Sequence, residues 1–156
     1  NIMFEANANA PLELAMSVSP AMEEAGEGWI VNVSSNTTNL WPGPPAPVSS
    51  VAPSYIAYGA SKAALNRIAN GMGQELYGTG IRINTVEPRA AVLSEGAAEL
   101  VGYRLRPDQI EPIEAMVEGT LYLCDCPADV TGQITVSLDA IERHGLTVHN
   151  LDGSAR

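Results

Sequence analysis

The sequence predicts an α/β protein built on a parallel β-sheet. Three segments with strand-like apolar runs, at residues 28–33, 81–86 and 132–138, alternate with segments whose apolar residues recur at helical spacing. The first run, GWIVNV, is almost continuously apolar, which is typical of a strand buried on both faces of a parallel sheet. Such alternation usually gives parallel strands joined by right-handed crossovers. No internal repeat is visible, and we treat residues 1–156 as a single α/β domain.

Composition and charge narrow the classes of function. The chain carries a net charge of −10 and only eight Lys and Arg residues, so we expect no surface that tracks nucleic-acid phosphates. With 46% hydrophobic residues and no apolar run long enough to cross a bilayer, it has the composition of a soluble globular protein. We therefore expect a cytoplasmic protein with neither nucleic acid nor membrane as a partner.

The cysteines and histidines do not have the spacing of a metal site. Cys124 and Cys126 lie too close in sequence to close a useful disulfide loop, and His144 and His149 stand apart from them. We predict no metal and two reduced thiols, one of them buried, as in a cytosolic protein.

The first half of the chain predicts a helix followed by a buried strand. Residues 4–25 have helical character, with Pro11 tolerated only near the first turn and Gly26 as part of the stop. The strand that follows ends at Ser34 and Ser35. Two hydroxyl groups therefore emerge at the carboxyl end of a strand, the edge where open α/β sheets bind ligands.

A proline-rich loop separates this strand from the next helix. Residues 36–53 contain five of the eleven prolines together with Trp41, which predicts a stiff and partly extended segment. Two interpretations are equally supported. The loop is a surface excursion without a function, or, because it connects Ser35 to the helix that carries Tyr58, it lines a substrate pocket.

The chain is organised around the long helix predicted at Ser54–Leu76. Tyr58 and Lys62 are four positions apart, so they project from the same face of this helix. A phenol beside an ammonium group is a chemically sensible proton-transfer pair, since the positive charge favours the phenolate. The Y-x-x-x-K pattern alone is a weak signal, and its neighbours decide how it is interpreted.

The second half continues the alternation. Gly71, Gly73, Gly78 and Gly80 follow a helix rather than a strand, so they predict a helix stop and turn and not a phosphate-binding loop. The remaining predicted elements are a strand at 81–86 closed by Pro88, a short helix at 94–102, a helix at 111–124 with Pro112 in its first turn, a strand at 132–138 and a short helix ending near Arg143.

Three motifs together resemble one family. GWIVNVSS, YGASKAALN and IRINTVEP occur in the order found in the second half of a short-chain dehydrogenase/reductase, and the resemblance runs from Phe4 to Leu138. It implies a Rossmann-like, doubly wound parallel sheet in three layers, α/β/α, of which this chain carries the C-terminal part. It also implies an NAD(P)-dependent oxidoreductase, with NAD or NADP as cofactor and a small-molecule carbonyl/alcohol pair as substrate.

The resemblance assigns catalytic roles residue by residue. Tyr58 would exchange a proton with the substrate oxygen, and Lys62 would hold the nicotinamide ribose and favour the phenolate. Ser35 would donate a hydrogen bond to the substrate oxygen. Asn7 would hold a water in the proton path, with Asn9 as a rival two residues away. A homodimer or homotetramer is also implied, formed through the central helix.

The sequence departs from the family in three places. Ser35 and Tyr58 are 23 positions apart, where the family has about a dozen. The cofactor-binding Pro-Gly of the family is here Pro88-Arg89, and the hydroxyl expected to contact the nicotinamide is Ser94, displaced by one position. Third, no glycine-rich pyrophosphate loop is present. We therefore expect the chain to be a fragment that lacks the N-terminal half.

Two alternatives stay open at this point. The chain could be a noncatalytic α/β relic or an interaction module without a cofactor site, as Pro88-Arg89 would suggest. It could also belong to the epimerase/dehydratase branch of the same superfamily, which shares Y-x-x-x-K, although ASKAALN and INTVEP match the compact dehydrogenases better.

Overall fold

A three-stranded parallel sheet forms the centre of the protein. The computed structural model describes residues 2–40, 43 and 53–156. The strands are β1 (Gly28–Val33), β2 (Ile81–Glu87) and β5 (Ile134–Val136), in the order β1-β2-β5. Both ladders are parallel, which confirms the predicted α/β class.

Helices cover both faces of this sheet. The helices are α1 (Ile2–Phe4), α2 (Ala10–Ala25), α3 (Pro53–Glu75), α4 (Glu95–Val101), α5 (Ile113–Leu123) and α6 (Ser137–His144). Ala15 of α2 and Ala69 of α3 pack on buried Ile83 of β2. Gly119 of α5 lies against Val86 of the same strand. Because adjacent strand residues point to opposite faces, these contacts define the three predicted layers.

The first predicted helix is interrupted by a π-helical segment. Residues Glu5–Asn9 precede α2, and the N–H of Ala10 donates to the carbonyl oxygen of Glu5, five residues earlier. The helical segment predicted over residues 4–25 is therefore present, with a π-helical turn in its first part. Pro11 has no N–H with which to continue a regular helical ladder, and the wider turn accommodates it. Gly26 ends α2 with a φ of 79°, as predicted.

Of the four glycines between positions 71 and 80, two lie inside the central helix and two form the turn that follows it. Gly78 and Gly80 have positive φ and form the predicted turn, but Gly71 and Gly73 lie inside α3. The helix ends at Glu75, one residue before the predicted end at Leu76. Gly73 inside it serves packing, because a Cβ there would collide with the backbone of Gly132.

The last strand is shorter than predicted, and a small second sheet was not predicted. Ser137 and Leu138 begin α6 instead of ending β5. Ser137 is fully buried as the first residue of α6, where its hydroxyl donates to the carboxylate of Glu111. The second sheet pairs β3 (Ala91–Val92) with β4 (Ile110–Glu111) in parallel.

The first strand lies at the edge of the main sheet. Among the described residues β1 pairs only with β2, and its last residue, Val33, is 54% exposed.

The C-terminal segment after α6 folds back onto α5, where His149 contacts Glu118 and Arg156 contacts Glu114. The two thiols are free, Cys126 buried and Cys124 exposed, as predicted.

The described residues contain neither a membrane-spanning helix nor a cluster of metal ligands. None of their helices is long and apolar enough to span a membrane. No group of three or more His, Cys, Asp or Glu side chains in this part of the chain could hold a metal ion. Most of the proline-rich loop predicted at 36–53, including Trp41, lies outside the described residues.

Candidate active site

A cavity of about 1520 Å³ opens at the carboxyl ends of β1 and β2. Four of the six predicted site residues line it: Ser35, Tyr58, Pro88 and Ser94. Its walls also include residues 36–40, the described start of the proline-rich loop, and part of α5. The cavity lies where ligands bind in open α/β sheets.

Helix α3 places Tyr58 and Lys62 side by side. The Nζ atom of Lys62 is 5.9 Å from the centre of the Tyr58 ring and donates a hydrogen bond to the carbonyl oxygen of Val33 at 2.7 Å. Burial lowers the pKa of Lys62 below its ordinary value. The ammonium is thus anchored at the end of β1, beside the phenol that lines the cavity.

The two serines at the end of β1 have different surroundings. Ser35 is 9% exposed, and its Oγ accepts hydrogen bonds from the backbone N–H of Thr37 at 3.2 Å and from the Thr37 hydroxyl at 3.0 Å. With its acceptor capacity engaged, its own hydroxyl hydrogen remains for a ligand. Ser34, the residue before it, is 5% exposed, and its Oγ has no hydrogen-bond partner among the described residues.

Close packing brings the serine turn against the tyrosine helix. Ser35 begins a short 3₁₀ turn, Asn36–Thr38, and Gly59 of α3 lies directly against the backbone of this turn. A Cβ at position 59 would be 2.6 Å from the carbonyl oxygen of Thr37. Glycine at this position therefore permits the close approach of the two elements that carry Ser35 and Tyr58.

Asn7 contacts the same helix through Ser61. Its Nδ2 donates to the Oγ of Ser61 at 3.1 Å, and Ser61 donates to the carbonyl oxygen of Tyr58 at 2.7 Å. Pro11, four residues on, has no N–H to offer to the carbonyl oxygen of Asn7. Asn9, the rival assignment, is exposed. Asn7 does not line the cavity itself, and neither does Lys62.

Arg89, which replaces the family's glycine, does not need glycine geometry. Positive φ is confined to glycine in the described part of the chain, so the backbone at Arg89 adopts a conformation open to any residue. Its guanidinium contacts the carboxylates of Asp139 and Glu142 on α6. Ser94 caps α4, accepting from the N–H of Ala97 at 3.4 Å.

Sequence reasoning missed two buried carboxylates near the cavity. Glu111 is 3% exposed and accepts from the backbone N–H groups of Arg89 at 2.7 Å and Ala90 at 3.0 Å. Glu87 is 5% exposed and ends β2. A signal was present for Glu87, because a carboxylate at the end of a strand predicted to be buried needs dedicated partners.

The chain belongs to the short-chain dehydrogenase family, whose model, described as short chain dehydrogenase, matches residues 1–99. A short chain dehydrogenase of Pseudocercospora fijiensis (strain CIRAD86) is 32% identical over 97 residues, which are 62% of this chain and 28% of that protein. Oxidoreductase asL5 of Sarocladium schorii is 34% identical over 104 residues, 65% of this chain and 36% of that protein.

Solved structures share the fold over about half of their length. The structure of 4-hydroxyisoleucine dehydrogenase complexed with NADH and succinate has a TM-score of 0.63 and 25% identity, over 83% of this chain and 53% of that chain. The chain thus spans about a third of the two curated relatives and about half of this structure. These matches confirm the Rossmann-like expectation, and they do not favour the interpretation as a noncatalytic relic.

Proposed function

We propose that this chain carries the catalytic part of an NAD(P)-dependent oxidoreductase that interconverts a carbonyl compound and its alcohol. The observation that supports this proposal best is the arrangement at the cavity. Tyr58 lines it, Lys62 is anchored beside the phenol, and the Ser35 turn packs against the same helix. A proton donor, a cation and a second hydroxyl thus meet where strands β1 and β2 end.

The residues at this end of the sheet fit the nicotinamide and ribose of a dinucleotide cofactor. The Lys62 ammonium has three N–H donors, and its bond to Val33 uses one of them, so two remain for ribose hydroxyls. Pro88 and Ser94 stand on the wall that would face the nicotinamide. The bound cofactor would supply or accept the hydride. The choice between NAD and NADP rests on residues outside the matched motifs.

The protein's own part in the reaction is placement and proton transfer. During reduction, Tyr58 gives its phenolic proton to the substrate oxygen, and during oxidation it takes that proton back. Ser35 donates its free hydroxyl hydrogen to the same oxygen and steadies the developing charge. The Lys62 ammonium lies beside the phenolate that is left, with its Nζ 5.9 Å from the ring centre. Asn7, which contacts the same helix through Ser61, would hold a water in the path that replaces the proton.

A Tyr58→Phe variant of the protein as its host cell produces it tests this proposal. Turnover of ketone and aldehyde panels with NADH and NADPH should fall by at least about 100-fold, since the general acid is lost. The cofactor Kd, measured by fluorescence titration, should stay within about twofold, because the phenyl ring keeps its packing. Tyr77→Phe, at a residue that is 68% exposed, is the matched control. Unchanged turnover in Tyr58→Phe would contradict the assignment.

A further inference from the structure

We propose that Glu87 is a positioning residue that holds the Ser35 turn against the helix carrying Tyr58 and Lys62. The inference rests on the proposed function, because it assigns a role within the same site. Within the described part of the chain, the Glu87 side chain makes no hydrogen bond to Tyr58 or Lys62, and no step of the proton transfer uses it. Its place is beneath the site, at the end of β2.

One oxygen atom of Glu87 joins the two elements. Its Oε2 accepts a hydrogen bond from the Thr38 hydroxyl at 3.2 Å and another from Nδ2 of Asn66 at 3.1 Å. Thr38 ends the 3₁₀ turn that begins after Ser35. Asn66 follows Lys62 by four positions on α3, so it shares the face that carries the proton-transfer pair.

Thr38 transmits this contact to Ser35. Its backbone N–H donates to the carbonyl oxygen of Ser35 at 3.1 Å, so a side chain that fixes Thr38 also fixes the serine backbone. On the other side of the turn, Gly59 lets α3 approach the carbonyl oxygen of Thr37. The turn thus packs against α3 at Gly59 and is hydrogen-bonded to the same helix through the Glu87 carboxylate.

A carboxylate is a costly choice at this position unless its hydrogen bonds are needed. Glu87 is 5% exposed, and burying a charged group is unfavourable unless donors satisfy it. Hydrogen bonds to an ionised acceptor are stronger than neutral ones, and more so away from water. An apolar side chain would fill the same space but would leave the Thr38 hydroxyl and the Asn66 amide without their acceptor.

The decisive comparison is between Glu87→Ala and Glu87→Gln. In Glu87→Ala we expect kcat to fall by at least about tenfold, because a small misplacement of reacting groups is costly, while the cofactor Kd stays within about twofold. Glu87→Gln should recover most of the rate. It keeps an acceptor oxygen and adds an amide donor near Asn66 Oδ1, a buried acceptor without a partner among the described residues. Glu75→Gln, on the exposed end of α3, controls for the loss of a carboxylate.

Hydrogen exchange gives a readout that does not depend on activity. The amides of residues 36–40 should exchange at least about tenfold faster in Glu87→Ala than in the unaltered protein, with β2 and β5 unaffected. Should Glu87→Ala fail to fold, Thr38→Val removes one of the two bonds within nearly the same volume and should show the same direction of change. Because both variants remove the same bond, their effects should not add in the double variant.

The outcomes separate this inference from the proposed function. If the unaltered protein turns over no carbonyl or alcohol with either nicotinamide, the proposed function fails, and the exchange rates alone decide whether Glu87 holds the turn. Unchanged exchange at residues 36–40 in a folded Glu87→Ala overturns the positioning role. Parallel losses of kcat, cofactor affinity and melting temperature, without rescue by Glu87→Gln, also overturn it, because they indicate general destabilisation.

Discussion

Lys62 of α3 donates a hydrogen bond from its Nζ to the carbonyl oxygen of Val33, the last residue of β1, at 2.7 Å. This bond joins the helix that carries Tyr58 to the strand that leads into Ser35. It also keeps an ammonium group half-buried, and that burial lowers the pKa of Lys62. The residue that supports the proposed chemistry is therefore held in a position that disfavours its own charge.

Replacing Lys62 by Met should change the pH dependence of stability, because the buried ammonium of the unaltered protein has a lowered pKa. Because the folded-state pKa lies below the ordinary value of 10.5, the folded protein loses this proton before the unfolded chain does. The unfolded state then binds more protons, so the stability of the unaltered protein should rise relative to Lys62→Met as pH rises from the lowered pKa towards 10.5. Chemical denaturation across the alkaline range measures the difference. If the stability difference falls as pH rises, the prediction is contradicted.

Turnover of the Lys62→Met variant should also drop at least about tenfold.

A Gly59→Ala substitution should separate helix propensity from active-site packing. Alanine favours a helix interior over glycine by about 1 kcal/mol, but its Cβ would lie 2.6 Å from the Thr37 carbonyl oxygen. Since that oxygen belongs to backbone, the Ser35 turn must move, and we expect turnover to fall at least about tenfold. Steady-state kinetics and thermal unfolding measure the two effects.

Gly71→Ala is the matched control in the same helix. A Cβ at position 71 would meet only the end of the flexible Arg67 side chain, at 3.2 Å, so this change should be neutral or stabilising and should leave turnover intact. Equal kinetic losses in the two variants would show that the approach of Gly59 to the turn has no special role.

The sequence predicts those features that depend on local pattern. The apolar runs gave the three strands and the parallel sheet, and the i, i+4 spacing put Tyr58 and Lys62 on one face. Pattern could not show which of two neighbouring asparagines faces α3, because the π-helical turn changes the helical phase at Asn7. Nor could it find Glu111, whose partners lie more than twenty positions away and include backbone groups without any sequence signature.

Glu111 should be required for the wall that carries Pro88. Its carboxylate binds the N–H groups of Arg89 and Ala90 and also accepts from the Ser137 hydroxyl, so it connects the ends of β2 and β5. Glu111→Ala leaves buried donors without a partner, and we expect a loss of at least about 2 kcal/mol in the free energy of unfolding. We also expect weaker nicotinamide binding, because the wall loses its anchor.

Two measurements check the role of Glu111. Urea denaturation gives the stability loss, and fluorescence titration gives the cofactor Kd. Glu111→Gln keeps an acceptor for the backbone N–H groups, and its amide can donate to Ser137, so it should retain more stability than Glu111→Ala. If both variants were as stable as the unaltered protein and bound the cofactor equally well, the carboxylate would have no anchoring role.

The contact between Glu118 and His149 should make the docking of the C-terminal segment sensitive to acid. His149 donates its backbone N–H to Glu118 Oε1 at 3.1 Å, and its ring Nδ1 lies 2.7 Å from the same oxygen. These contacts hold the pKa of Glu118 below its ordinary value of 4.5. A carboxyl whose folded-state pKa is depressed stabilises the fold above its unfolded pKa and loses that contribution as pH falls through the folded value.

Glu118→Gln should therefore differ from the unaltered protein in melting temperature near neutral pH, and the difference should shrink below pH 4.5. Glu75→Gln, which alters an exposed carboxylate at the end of α3, is the control for general acid effects. A difference that grew as pH fell through this range would show that the ionised Glu118 does not stabilise the docked segment.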